Sequence, residues 1–208
     1  MLTKDRKLNL LNVIFVSSIL ISNVIAAKLI SIFGFAVPAG VVVFPISFLM
    51  TDVINEVWGK NEAMFTVKMG FLVSIMATAL YTLSVKLPPH SSWGMQYEYS
   101  AIMSSVYRIV LAGLLSYFIS QTVDVRIFHT LKTAHKDKKL WIRNNVSTIT
   151  SQLVDSIVFI TVAFYGVVPT ENIITMITVQ WIVKLLLALL DTPFCYLLVK
   201  WAKKIRRD

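Results

Sequence analysis

Two copies of one pattern, S-Q-x-V-D with a phenylalanine four residues after the aspartate, carry the polar chemistry of this chain. They are Ser120, Gln121, Val123, Asp124 and Phe128, then Ser151, Gln152, Val154, Asp155 and Phe159. Both sit in apolar segments long enough to cross a bilayer, where an ionisable side chain is costly and by default marks a functional site. Residues three apart share a helix face, so each copy aims a carboxylate and an amide at one place. Such a pair suits a polar ring that carries both donors and acceptors.

Other polar groups join this set. Asp52, Asn55 and Glu56 are spaced three and four apart on one face, close to Trp58 and Gly59. Around the second copy, Asn144 or Asn145, Thr148, Ser151 or Gln152, and Asp155 recur at helical spacing, a stripe that belongs on a bundle interior or a water-filled path. Ser, Thr and Asn in that stripe serve equally well as glue between helices, whereas Asp155 does not. Asn23 and Lys28 lie deep in the first apolar run, with Lys28 able to snorkel outward. Lys184 lies near the middle of the last run and shares a face with Asp191. It is expected to pair with Asp155, since either charge alone would cost about 2.5 to 3.5 kcal/mol in a membrane. Arg108, like Lys184, reads as a counter-charge for the acids.

The elements that position these groups follow from bulk composition. The chain has 208 residues, of which 56% are hydrophobic and 15% charged, with a mean hydropathy of +0.71. That is too apolar for a soluble domain and describes an integral membrane protein. Apolar runs of roughly 20 residues predict six spans: Leu8 to Ile30, Pro38 to Trp58, Ala63 to Val85, Ala101 to Asp124, Trp141 to Tyr165, and Ile173 to Trp201. They lack the period-two alternation of barrel strands, so the expected fold class is all-α, one bundle of six transmembrane helices over the whole chain. Ser18, Ser22 and Ala26 form a small-residue ridge for close helix approach, either inside the chain or toward a partner subunit. Pro38 suits a first turn, while Pro45 and Pro193 are expected to bend their helices from within.

The net charge of +9 could suggest nucleic acid, but its distribution argues against direct nucleic-acid binding. Lys and Arg cluster at Lys4, Arg6 and Lys7, from Arg126 to Arg143, and from Lys200 to Arg207. The alternate loops, around Phe33, Pro88 to Tyr99 and Val168, carry none. This is the positive-inside pattern, and it puts both termini in the cytoplasm. Trp58, Trp141 and Trp201 on that side, and Trp93 outside, fit interfacial anchors. Val24-Ile25-Ala26 loosely resembles a signal-peptidase site, but the apolar run continues to Ile30, so it reads as a span.

Enzyme signatures are absent. His90, His129 and His135 are expected in loops, which leaves no intramembrane zinc motif, and there is neither a P-loop nor a dinucleotide fingerprint. The single cysteine, Cys195, excludes an internal disulfide. A membrane aspartyl enzyme built on Asp124 and Asp155 is the remaining enzymatic alternative. No metal or cofactor is expected, and a small-solute carrier is favoured.

Specific stretches carry a family resemblance: Ser22-Asn23 through Lys28, PAGVVVFPISFLMTDVINEVWG from Pro38 to Gly59, SQTVD from Ser120, WIRNNVSTITSQLVDS from Trp141, and ALLDTP from Ala188. On these the chain closely resembles the queuosine-precursor transporters, a branch of the vitamin uptake transporters of bacterial inner membranes. The resemblance implies import of 7-deazaguanine bases for tRNA modification. A guanine-like edge offers two adjacent N–H donors that a carboxylate can accept, beside a carbonyl that an amide can serve. Asp155 and Gln152 are thereby the leading ligands, followed by Asp52, Asn55, Glu56, Gln121, Asp124, Asn145 and Asn23. Phe44, Phe48, Tyr117, Phe159 and Trp181 could wall a flat ring. The resemblance also implies a six-helix fold similar to the substrate-binding subunits of energy-coupling-factor transporters. Those dock an ATPase module through an alanine-based ridge in the first helix. Here the ridge is Ser18, Ser22 and Ala26, so a solitary carrier is preferred to such a subunit or to a non-transporting scaffold. Its transport is either proton-coupled through Glu56, Asp124 or Asp155, or downhill. Oligomeric state stays open, a homodimer being the form many small carriers take.

Overall fold

The computed structural model describes residues 3–134 and 140–204, without the side chains of 124, 125, 128, 129, 132–134, 140–145, 188, 189, 191 and 192. Helix dominates: α1 (Lys4–Ile25), α2 (Phe44–Trp58), α3 (Lys60–Lys86), α4 (Gln96–Ala134), α5 (Leu140–Phe164) and α6 (Thr170–Lys203). A hairpin, β1 (Leu29–Ile32) and β2 (Phe35–Pro38), and a 3₁₀ turn (Ala39–Val42) separate α1 from α2. Among the described residues, five helices are long and apolar enough to cross a membrane. On α3, Leu72, Ile75, Leu80 and Leu83 are each more than half exposed, a surface suited to lipid rather than water.

The first predicted span is therefore corrected. Helix ends at Ile25, and Leu29 and Ile30 begin a strand. Phe33 (φ 51°) and Gly34 (φ 85°) form its two-residue tip, the left-handed pair that matches hairpin twist. Gly34 adopts this freely, whereas a phenylalanine there is strained by roughly 1 to 2 kcal/mol. The second predicted span, Pro38 to Trp58, also divides. Pro45 falls in the first turn of α2 rather than inside it, where its missing N–H has no helical partner to lose, so the expected bend does not arise. Pro193 does lie within α6, and His129, expected in a loop, lies within α4.

The chain forms two compact units, one of Met1–Leu29, Pro38–Tyr107 and Leu186–Asp208, the other of Ile30–Val37 and Arg108–Leu185. In the first, Leu11 and Phe15 of α1, Met50, Val53 and Ile54 of α2, and Ala202 of α6 make a buried core. Ser18, Ser22 and Ala26 are buried as well. Ser22 Oγ donates to Gly40 O at 3.2 Å, and a Cβ on Gly40 would sit 2.9 Å from Ala26 Cβ and from Ser22 O. The Ser22 and Ala26 part of the ridge is thus filled by the chain's own 3₁₀ turn, which only glycine lets approach so closely. In the second unit Ile109, Ile160, Ala163, Phe164, Ile173 and Met176 are buried.

Candidate functional site

Helix α5 carries the polar stripe, and its hydroxyl groups are satisfied locally. Thr150 Oγ1 donates to Val146 O at 2.8 Å, Ser151 Oγ to Thr148 O at 3.0 Å, and Ser156 Oγ to Gln152 O at 2.9 Å. Back-bonding of this kind lets Ser and Thr sit in apolar surroundings without an outside partner. Asp155 and Gln152 have longer polar side chains that need more. Lys184 Nζ of α6 donates to Asp155 Oδ2, forming an ion pair whose side chains are only 11% and 18% exposed. This is the pairing that mutual cost in an apolar medium predicts. Trp181, one turn earlier on α6, donates Nε1–H to Ile149 O at 3.2 Å, one turn before Gln152 on α5.

Two acceptors on this face are left without a hydrogen bond among the described residues. Gln152 Oε1 is buried and has no partner. Asp155 bonds Lys184 through Oδ2 alone. Because the residues are three apart, both acceptors project from one face of α5.

Arg108 has a different place from the one expected. Its Nε donates to Val162 O at 2.7 Å and its Nη2 to Tyr165 O, closing the carbonyls at the C-terminal end of α5. A guanidinium suits that end of a helix both as donor and as cation. Among the described residues it acts as a cap and pairs with no carboxylate. Gln121, in the same unit, is exposed. Asp124 and Asn145 lie in α4 and α5, but their side chains fall outside the described residues, as does that of Asp191 in α6.

The first unit holds the other predicted residues. Asn23 Nδ2 donates to Ser74 Oγ of α3 at 3.4 Å. Glu56 Oε1 accepts from Lys203 Nζ at 2.7 Å, an exposed pair at the end of α2 of the kind worth at most about 1 kcal/mol. Asn55 and Asp52 are both exposed on the same helix. A second helix cap was missed by sequence reasoning. Lys7 is buried, and its Nζ donates to Trp201 O at 2.8 Å and Lys204 O at 2.6 Å while lying 5.1 Å from the Trp201 ring centroid. The signal was present in the spacing, since Lys7 continues the buried face of Leu11, Phe15, Ser18 and Ser22.

A carboxylate–ammonium pair held between apolar helices, in a chain with five candidate spans, defines a multi-pass membrane protein with a polar site among its helices. Residues 38–198 match the family described as "Putative vitamin uptake transporter", and the chain belongs to that family. It is 31% identical over 176 residues to the "Probable queuosine precursor transporter" of Bacillus subtilis (strain 168), covering 84% of this chain and 77% of that protein. To the protein of the same description from Haemophilus influenzae (strain ATCC 51907 / DSM 11121 / KW20 / Rd) it is 28% identical over 134 residues, 64% of this chain and 54% of that one. No solved structure matches.

Proposed function

We propose that this chain is a bacterial inner-membrane carrier that imports queuosine precursors, 7-deazaguanine bases such as 7-cyano-7-deazaguanine, 7-aminomethyl-7-deazaguanine or queuine. The observation that carries this reading is the Asp155–Lys184 pair with the adjacent Gln152, in a member of the family whose relatives bear the queuosine-precursor description. A polar heteroaromatic base is the solute such groups suit, because buried donors and acceptors favour a ligand that pairs them and reject one that does not. We assign roles in the same reading. Asp155 and Gln152 bind the base, and Lys184 holds the carboxylate in place through its hydrogen bond to Oδ2.

Six crossings with both termini cytoplasmic suit the charge distribution. The sixth crossing is made by the 3₁₀ turn and α2 together. At about 1.5 Å per residue the 15 residues of α2 reach about 22 Å, and four 3₁₀ residues at about 2 Å each bring the segment to about 30 Å, the hydrocarbon thickness. Burial of Ser18, Ser22 and Ala26 supports a carrier that works without an ATPase docked on that ridge.

Uptake of labelled 7-deazaguanine bases into cells unable to make queuosine tests the proposal, with wild type compared against Asp155→Asn. Uptake that vanishes in the variant at unchanged protein level is the expected result. No uptake of any of the three bases by expressed wild type would overturn it.

A further inference from the structure

Helices α1 and α3 run side by side in the first unit, and an open groove of about 310 Å³ lies between them. Asn12, Val13 and Val16 line it from α1, and Thr66, Met69 and Val73 from α3, so its walls are mostly apolar. Both helices are long and apolar enough to cross a membrane. Val13 is 62% exposed, so the groove opens on the surface that lipid would cover. One polar pair interrupts the apolar walls. Asn12 and Thr66 meet at 2.7 Å, while the Thr66 hydroxyl also lies 2.9 Å from Glu62 O of its own helix. Whichever way the Asn12 amide is turned, at least one of its N–H groups is left without an acceptor among the described residues. In hydrocarbon such a donor is costly unless an acceptor reaches it.

Charged residues stand above that pair on the same helix faces. Asp5 and Arg6 lie two turns before Asn12 and Val13, and Glu62 one turn before Thr66. Asp5 and Arg6 are exposed, and none of the three side chains has a hydrogen bond or ion pair among the described residues. The two helices begin at Lys4 and Lys60. At 1.5 Å per residue, Thr66 lies about 9 Å and Asn12 about 12 Å along the axis from those ends, just beneath a headgroup layer about 5 to 7 Å thick. Both signs of charge, a spare N–H donor and an apolar wall thus follow one another in order of depth, as the parts of a phospholipid do.

We propose that this groove seats one membrane phospholipid with a zwitterionic amine headgroup, of the phosphatidylethanolamine class. Arg6 takes the phosphate, Asp5 and Glu62 take the ammonium, and the Asn12 amide donates to an ester carbonyl. An acyl chain lies along Val16, Met69 and Val73. An acidic lipid lacks the cation that the two carboxylates would accept from. A second copy of the chain, related by an axis along the membrane normal, would hold Asp5 and Glu62 level with their own counterparts and set like charges together. The site belongs to the first unit, whereas Asp155 and Lys184 belong to the second, and it does not depend on which solute the chain carries.

The test titrates the purified, delipidated full chain in detergent with phosphatidylethanolamine, phosphatidylcholine and phosphatidylglycerol of identical acyl chains, counting bound lipid by native mass spectrometry. Phosphatidylcholine keeps the phosphate and the cation but has no N–H to donate, and phosphatidylglycerol has no cation. Wild type should bind one phosphatidylethanolamine at least about tenfold more tightly than either, the worth of one charge-assisted hydrogen bond. Val13→Trp, which fills the groove from an exposed position, should lose that site. Equal binding of the three lipids, or a Val13→Trp that keeps the site, overturns the proposal. So does a lipid-free wild-type dimer that Val13→Trp dissociates, which would give the groove to a second copy. Should Val13→Trp fail to fold, Asn12→Leu decides, since it leaves Thr66 its bond to Glu62 O. Affinity for phosphatidylethanolamine weakened about threefold or more supports the seat, and an unchanged affinity overturns it.

Discussion

Replacing Lys184 with methionine leaves Asp155 as a carboxylate with no hydrogen-bond donor among the described residues, in a place where its side chain is 18% exposed. Two independent scales give similar costs. Removing one member of a buried pair typically costs 3 to 5 kcal/mol, and the residual exposure of this pair selects the lower end, about 3 kcal/mol. A lone carboxylate at the centre of a membrane helix costs about 2.5 to 3.5 kcal/mol on insertion scales. For a chain of this length each kcal/mol lowers the melting temperature by about 2 to 4 °C, so Lys184→Met should melt about 6 to 12 °C below wild type. The double variant Lys184→Met/Asp155→Asn strands no carboxylate and should recover most of that loss, returning to within about 3 °C of wild type. Thermal unfolding in detergent, followed by loss of the monodisperse species, measures the cycle. Strictly additive effects, with the double variant melting lower than either single one, would show that the two groups do not depend on each other.

Three other outcomes are expected. Arg108→Met removes two charge-assisted bonds from the end of α5, worth about 1.5 to 3 kcal/mol. It should lower the melting temperature while leaving the affinity of folded protein for base unchanged, whereas a counter-charge in the site would change both. Gly40→Ala forces a methyl group to within 2.9 Å of Ala26 Cβ and Ser22 O. It should cost about 1 to 3 kcal/mol by overpacking, read as reduced yield and a lower melting temperature. Phe33→Asn puts a residue tolerant of left-handed backbone at the hairpin tip and should raise stability by about 1 kcal/mol. A fall in melting temperature instead would mean that the aromatic ring contributes more in the membrane than its backbone strain costs.

Long apolar runs gave up their helices readily, because hydropathy over 20 residues is a strong signal and the Asp155–Lys184 pairing follows from charge arithmetic alone. Where the reading failed, two structures shared one composition. Leu29 to Val43 is uncharged and apolar, so hydropathy could not separate a hairpin and a 3₁₀ turn from continued helix; Phe33-Gly34, a weak turn signal, held the only clue. Pro45 was misplaced for the same reason, since its effect depends on where the helix begins. Arg108 and Lys7 were read by charge when their partners are backbone carbonyls, groups that every residue carries and no sequence pattern points to.

Lys7 ties the first helix to carbonyls near Trp201 and Lys204, almost two hundred positions later in the chain. Those carbonyls belong to the end of α6, the last helix of the bundle in chain order. A chain that ended before Trp201 would keep the packing of Leu11 and Phe15 against α2 but would lose the acceptors of the Lys7 ammonium. The two ends of the chain are thus fastened to each other, and removal of the last few residues would strand a buried ammonium without its acceptors.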